Sequence, residues 1–216
     1  MKKYLLNESG NFYKANLHCH SNVSDGRKTP EEVKKIYVDK SQIIYELNDL
    51  IDSDDNFACM SRPRRFGKSM AGNMISAYYS KGCDTREVFS QMKLGEKVEF
   101  DKYLNKINVI KLDLNELYQN AKKKNTHTFL IEQIDKSVGA EFREQFPNIT
   151  FGEDEDSIYR CISKVYKLTG ERFVIIIDEY DVLMREQVPQ TLFESYLSFL
   201  NGLFKGTTIR PAISLA

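Results

Sequence analysis

Lys68 and Ser69, behind Gly67 in the run MSRPRRFGKS (Met60 to Ser69), are the residues of this chain best suited to holding a phosphate. They close the pattern G-x-x-x-x-G-K-[ST]. In that pattern backbone N–H groups wrap a phosphate chain, the lysine reaches the β- and γ-phosphates, and the hydroxyl holds Mg²⁺. Far downstream, FVIIIDEYD (Phe173 to Asp181) reads as an apolar strand ending in two acids, Asp178 and Glu179. Open parallel sheets bind ligands just outside the carboxyl ends of their strands. Mg²⁺ keeps several waters, so one aspartate acting through water is enough. A glutamate one residue on points differently and could polarise a nucleophilic water. In this order, with a helix-sized segment after the first run, the two argue for nucleoside triphosphate binding. Asp181 is read as solvated, or at most as orienting the loop.

The loop departs from the usual spelling. Arg62 stands where a glycine normally opens it, and Pro63 behind it has no N–H to donate. Its surroundings still favour an anion: a strand, a loop, then a helix whose N-terminus offers unbonded N–H groups and the positive end of its dipole.

The elements that must position these residues read as alternating β and α. Ile43, Ile44, Leu47, Leu50 and Ile51 recur at helical spacing before the acidic stretch Asp52 to Asp55. Phe57 to Met60 is a short apolar strand feeding the loop, and Lys68 to Tyr79 a helix rising from it. Asn108 to Leu114 reads as a second strand, and Thr128 to Val138 and Ile158 to Leu168 as helices. Phe173 to Ile177, apolar throughout, suits a central parallel strand covered on both faces. Leu192 to Phe204 is another amphipathic helix, and TTIRPAISLA looks like the opening of a further strand. The basic run Lys122 to Lys124 reads as a solvated helix start. Strands and helices alternating at this length predict an α/β fold with a doubly wound parallel sheet flanked by helices.

RPRRFGKS, preceded by YVDKS (Tyr37 to Ser41) and followed by VIIIDEYD (Val174 to Asp181), resembles the AAA-ATPase-like family. That family is best known from bacterial proteins in which a PD-(D/E)XK nuclease-like domain follows the ATPase part. Its usual phosphate loop carries this arginine-rich spelling. The resemblance spans residues 37–216 and implies a P-loop NTPase-type fold that takes ATP with Mg²⁺. Residue by residue it implies that Lys68 holds the phosphates, Ser69 and Asp178 the magnesium shell, and Glu179 the attacking water. Arg64 and Arg65 match the family's basic pair, with Phe66 and Gly67 completing the nucleotide-binding loop. Efficient hydrolysis in such ATPases often needs an arginine finger and a sensor residue on a neighbouring strand. The chain ends where that strand begins, so the domain is expected to be incomplete at its C-terminus and hydrolysis follows less directly than binding.

The N-terminal segment, residues 1–36, carries a second chemistry. In NLHCHSNVSDGRKTPEE the residues Leu17, His18, His20, Ser24, Asp25 and Gly26, then Pro30, Glu31 and Glu32, resemble the opening motif of the PHP (polymerase and histidinol phosphatase) family. There the H-x-H pair ligates divalent metals and the aspartate belongs to the same site. A complete centre of that kind needs further ligands from later strands. The only other histidine, His127, lies in a polar stretch and reads as a surface residue. His18 and His20 are therefore expected to form at most a weak metal site on a short appendage, joined near Lys35 to Val38.

Composition bounds the rest. With 41% hydrophobic and 29% charged residues the chain is ordinary for a globular protein, and its formal net charge of +0 gives no global field toward nucleic acid or acidic membrane. No apolar run approaches the ~20 residues that span a bilayer. The four scattered cysteines form no C-x-x-C pair, which fits reduced thiols and a cytoplasmic location. A protein partner or self-association stays open, nucleic acid is unsupported, and no nuclease constellation follows the ATPase-like part. Three functions compete: an ATP·Mg²⁺ P-loop ATPase, a nucleotide-binding switch without turnover, and a PHP-type metal-dependent phosphoesterase.

Overall fold

The structure is a computed structural model that describes residues 39–51, 53–60, 67–152, 157–207 and 209–216. Three strands form a parallel sheet in the order β1 (Asn108–Asp113), β2 (Phe173–Asp178), β3 (Ile213–Leu215). The β1–β2 register is regular from Asn108 opposite Phe173 to Asp113 opposite Asp178. Between β2 and β3 the register shifts at Phe173/Val174.

Helices cover both faces. On one lie α1 (Gln42–Leu50), α2 (Lys68–Tyr79) and the short α3 (Arg86–Ser90). On the other lie α4 (Leu114–Lys123), α5 (Leu130–Gln145), α6 (Ile158–Thr169), the four-residue α7 (Val182–Arg185) and α8 (Gln190–Lys205). The sheet thus separates two apolar clusters, and β2 feeds both by alternation. Phe173, Ile175 and Ile177 join the cluster of α4–α8, whereas Val174 and Ile176 join that of α1–α3. This is why β2 is an unbroken apolar run: each face of it is buried.

Most predicted elements are present, α2 with the same bounds and the last strand as β3. Two readings change. Phe57 to Met60 forms no regular strand. Asn56 to Ala58 instead runs beside the chain end, the Ala216 N–H donating to the Asn56 carbonyl at 2.9 Å and the Ala58 N–H to the Ala216 carbonyl at 2.7 Å. That is the bonding of a parallel pair, and it places the segment feeding the phosphate loop next to β3, with the side chain of buried Asn56 donating to the Ile213 carbonyl at 2.9 Å. Lys122 to Lys124 is the end of α4, not a helix start, and a cation suits the negative end of a helix dipole.

Candidate functional site

Among the described residues, side chains cap α2 at its C-terminal end only. At its C-terminus Asn105, itself in a left-handed conformation at φ 56°, donates its side-chain amide to the carbonyls of Ala77, Tyr78 and Ser80, and the Thr85 hydroxyl donates to Ala77. At its N-terminus Gly67 takes φ 75° and ψ 33°, no side chain caps it among the described residues, and the first turn holds no acid. Gly67 is the cap, and Lys68 opens the helix where an acid would better suit the dipole. The N–H groups and positive dipole end of such a terminus suit an anion. Gly67 is required here, because a side chain in the left-handed region is strained.

The sheet presents its acids at the same level. Val174, Ile176 and Asp178 alternate onto the face that α2 covers, as do Val109, Lys111 and Asp113 on β1. The Lys111 ammonium donates to Asn73 Oδ1 on α2, while Ser80, just past the end of α2, pairs with Ile107, just before β1. α2 therefore runs antiparallel to the strands. Ser69 lies four residues before Asn73, about 6 Å along the helix. Asp178 and Asp113 lie two residues beyond Ile176 and Lys111, about 6.6 Å along the strands. Ser69 and Asp178 thus stand at one level at the carboxyl end of the sheet.

The turn after β2 is unusual. Glu179 has φ 54°, a left-handed conformation rare for a residue other than glycine and costing about 1–3 kcal/mol. Its N–H donates to Asp178 Oδ1 at 3.0 Å. Its carboxylate accepts from Arg185 at 2.7 Å, and Arg185 also donates to Asp181 at 3.1 and 3.2 Å. The Glu179 contact, first, and the nearby Asp181 charge hold the Arg185 guanidinium above its ordinary pKa. Tyr196 anchors the turn by donating to the Tyr180 carbonyl at 2.5 Å. The Cys59 thiol, first through hydrogen bonding, raises the Tyr180 pKa.

Of the predicted site residues, Gly67, Lys68 and Ser69 sit at the start of α2, and Asp178 and Glu179 at the end of β2. Arg64, Arg65 and Phe66, and His18 and His20, lie outside the described residues. His127 is half-buried rather than on the surface, its ring edge-on to Tyr118 with centroids 6.3 Å apart. Asp181 is more than solvated, since it shares Arg185 with Glu179. Arg185 itself was missed, although the Asp181–Arg185 spacing of four residues is the signal of a pair on one helical face. Among the described residues no three of His, Cys, Asp and Glu gather to hold a metal, and no helix is long and apolar enough to cross a membrane.

A family profile described as a predicted AAA-ATPase matches residues 29–212. The chain belongs to the AAA-ATPase-like family. Neither the curated proteins nor the solved structures contain a match to it. Membership in the AAA-ATPase-like family makes this an ATPase-type α/β domain at the level of the family description, with nucleotide as the implied ligand.

Proposed function

We propose that residues 37–216 form a P-loop domain that binds ATP·Mg²⁺ at the N-terminus of α2 and hydrolyses it slowly. The observation that carries this reading is the lysine-headed N-terminus of α2, which no described side chain caps, level with Asp178 on the same face of the sheet. Gly67, Lys68 and the preceding Arg64, Arg65 and Phe66 would cradle the phosphates. Ser69 and Asp178 fit an octahedral Mg²⁺ that draws its remaining ligands from phosphate and water, so no cluster of three acids is needed. The bound ion would neutralise charge that develops on the phosphate chain. Glu179 would orient the attacking water and accept its proton.

Replacing Lys68 by Ala removes the charge aimed at the phosphates. ATP·Mg²⁺ affinity, measured by calorimetric titration, should fall at least about tenfold, or ~1.4 kcal/mol. Equal affinity in wild type and Lys68→Ala would refute the assignment.

One observation favours the second reading, a nucleotide switch without turnover: the Glu179 carboxylate is engaged by Arg185 at 2.7 Å, which withholds it from a water. Binding without detectable phosphate release would select that reading. Residues 1–36 are taken as an appendage without a working metallophosphoesterase centre. Manganese-dependent phosphatase activity lost on His18→Ala would overturn this.

A further inference from the structure

We propose that Arg185 regulates the water-orienting acid: it restrains the Glu179 carboxylate, and Asp181 takes the guanidinium over when Glu179 is released. This rests on the reading of Glu179 as the residue that orients the attacking water.

A single nitrogen of Arg185 meets both acids. Its Nη1 lies 2.7 Å from Glu179 Oε2, and 3.1 and 3.2 Å from the two carboxylate oxygens of Asp181. Such a nitrogen bears two of the five guanidinium hydrogens, so the three oxygens share them. Letting Glu179 go leaves Arg185 with a carboxylate already in reach. Closing on Asp181 from 3.1 Å to the ~2.8 Å usual for a charge-assisted bond needs only a small turn of the guanidinium. The two contacts also differ in origin. Asp181 and Arg185 are four residues apart on one helical turn, the N–H groups of Met184 and Arg185 both donating to the Asp181 carbonyl at 3.1 Å. Glu179 lies outside that turn, in its left-handed conformation at φ 54°. Backbone geometry therefore keeps the Asp181 pair together, whereas rotation of one side chain opens the Glu179 contact.

The helix that carries Arg185 is a fixed mount. Val182 and Leu183 of α7 are buried in the cluster of α4–α8, and Glu186, directly after α7, pairs with Lys122 near the end of α4 at 3.1 Å. Arg185 thus ties the Glu179 carboxylate to the layer opposite α2, the helix whose start is read as the phosphate site. The side chains of Arg185 and Glu179 are 33% and 29% exposed. A pair so open to water is weak, which suits a restraint that slows the acid without blocking it.

The test measures phosphate release at saturating ATP·Mg²⁺, and ATP·Mg²⁺ affinity by titration, in the full chain. Arg185→Ala should raise kcat about two- to fivefold, the factor to which the worth of an exposed ion pair converts, with KM unchanged. Arg185→Met, which keeps the length of the side chain, should match it even where alanine lowers the melting temperature. Asp181→Asn should slow release below wild type, because the carboxylate that competes for Arg185 is gone. Adding Glu179→Gln to Arg185→Ala should return the rate to that of Glu179→Gln alone, since the restraint acts only through that acid. Unchanged or lower kcat in both Arg185 variants, with ATP affinity kept, would overturn the restraint. Faster release in Asp181→Asn would overturn the exchange. A gain in Arg185→Ala that survives Glu179→Gln would also overturn the proposal, because the effect would then lie elsewhere. No turnover in wild type or in either Arg185 variant, with Lys68-dependent binding intact, would refute the restraint and leave the nucleotide site standing. No binding by wild type, or none that depends on Lys68, would remove the nucleotide site and this inference with it.

Discussion

Glu179 holds a backbone conformation that its side chain disfavours, directly after the residue that would face the metal. Such strain persists only where neighbours over-determine it, and here they do: Asp178 holds its N–H, Arg185 its carboxylate, and its own carbonyl accepts from Val182 at 3.0 Å. The two acids therefore present themselves differently and should fail differently. Asp178→Asn should weaken binding of ATP only when Mg²⁺ is present. Glu179→Gln should leave binding within about twofold, far less than the tenfold that ~1.4 kcal/mol represents, and abolish phosphate release. Equal damage to binding from both would show the roles wrongly divided. At this scale the sequence was informative where chemistry is local. Lys68, Ser69, Asp178 and Glu179 stand out as candidates through two short motifs and the resemblance they carry. The Arg185 contact with Glu179 and the half-burial of His127 depend on residues that meet only after folding.

The decisive element is α2, held at its C-terminal end by Asn105 and, among the described residues, without a side-chain cap at the other. Asn105→Ala should cost about 1–3 kcal/mol of stability, since three carbonyls lose their donor, and part of that cost reflects the left-handed backbone at this position. Nucleotide affinity at saturating fold should be nearly unchanged, which denaturation and titration on the same sample would separate. A second latch sits at the same, amino end of the sheet, where Glu171 accepts from Lys81 at 2.6 Å and from Asn108 at 2.5 Å. These contacts, Lys81 first, pull the Glu171 pKa below the usual carboxylate value. Its contribution is then fully present above the unfolded carboxylate range and lost as pH falls through the lower, folded value. Glu171→Gln should destabilise by about 0.5–1 kcal/mol near neutral pH, with the difference vanishing in acid. α2, α6 and β2 were legible because each carries a long apolar period or run. α4 was not, because LNELYQNAKK shows an apolar stripe of only Leu114, Leu117, Tyr118 and Ala121 amid polar residues. The pairing of Asn56 to Ala58 was not legible either, since its partner, Ala216, lies at the far end of the sequence.

Among the described residues the two apolar clusters lie on opposite faces of the sheet, and the proposed ligand would tie α2 on one side to the carboxyl end of β2 at the centre. A ligand held by both should stabilise the fold as a unit and not just order a loop. At a free concentration of one hundred times its Kd, ATP·Mg²⁺ should add about 2.7 kcal/mol to the unfolding free energy. For a chain of this size that raises the melting temperature by about 5–10 °C. Lys68→Ala, binding tenfold more weakly, should retain about half of that shift or less at the same ligand concentration, because the gain falls only with the logarithm of affinity. Glu179→Gln should keep all of it, since Glu179 is assigned to the water and not to the phosphates. A full shift in Lys68→Ala would place the nucleotide somewhere other than the start of α2. A shift lost in Glu179→Gln would mean that the turn after β2 binds the ligand, and the division between binding and chemistry drawn along the sheet end would have to be abandoned.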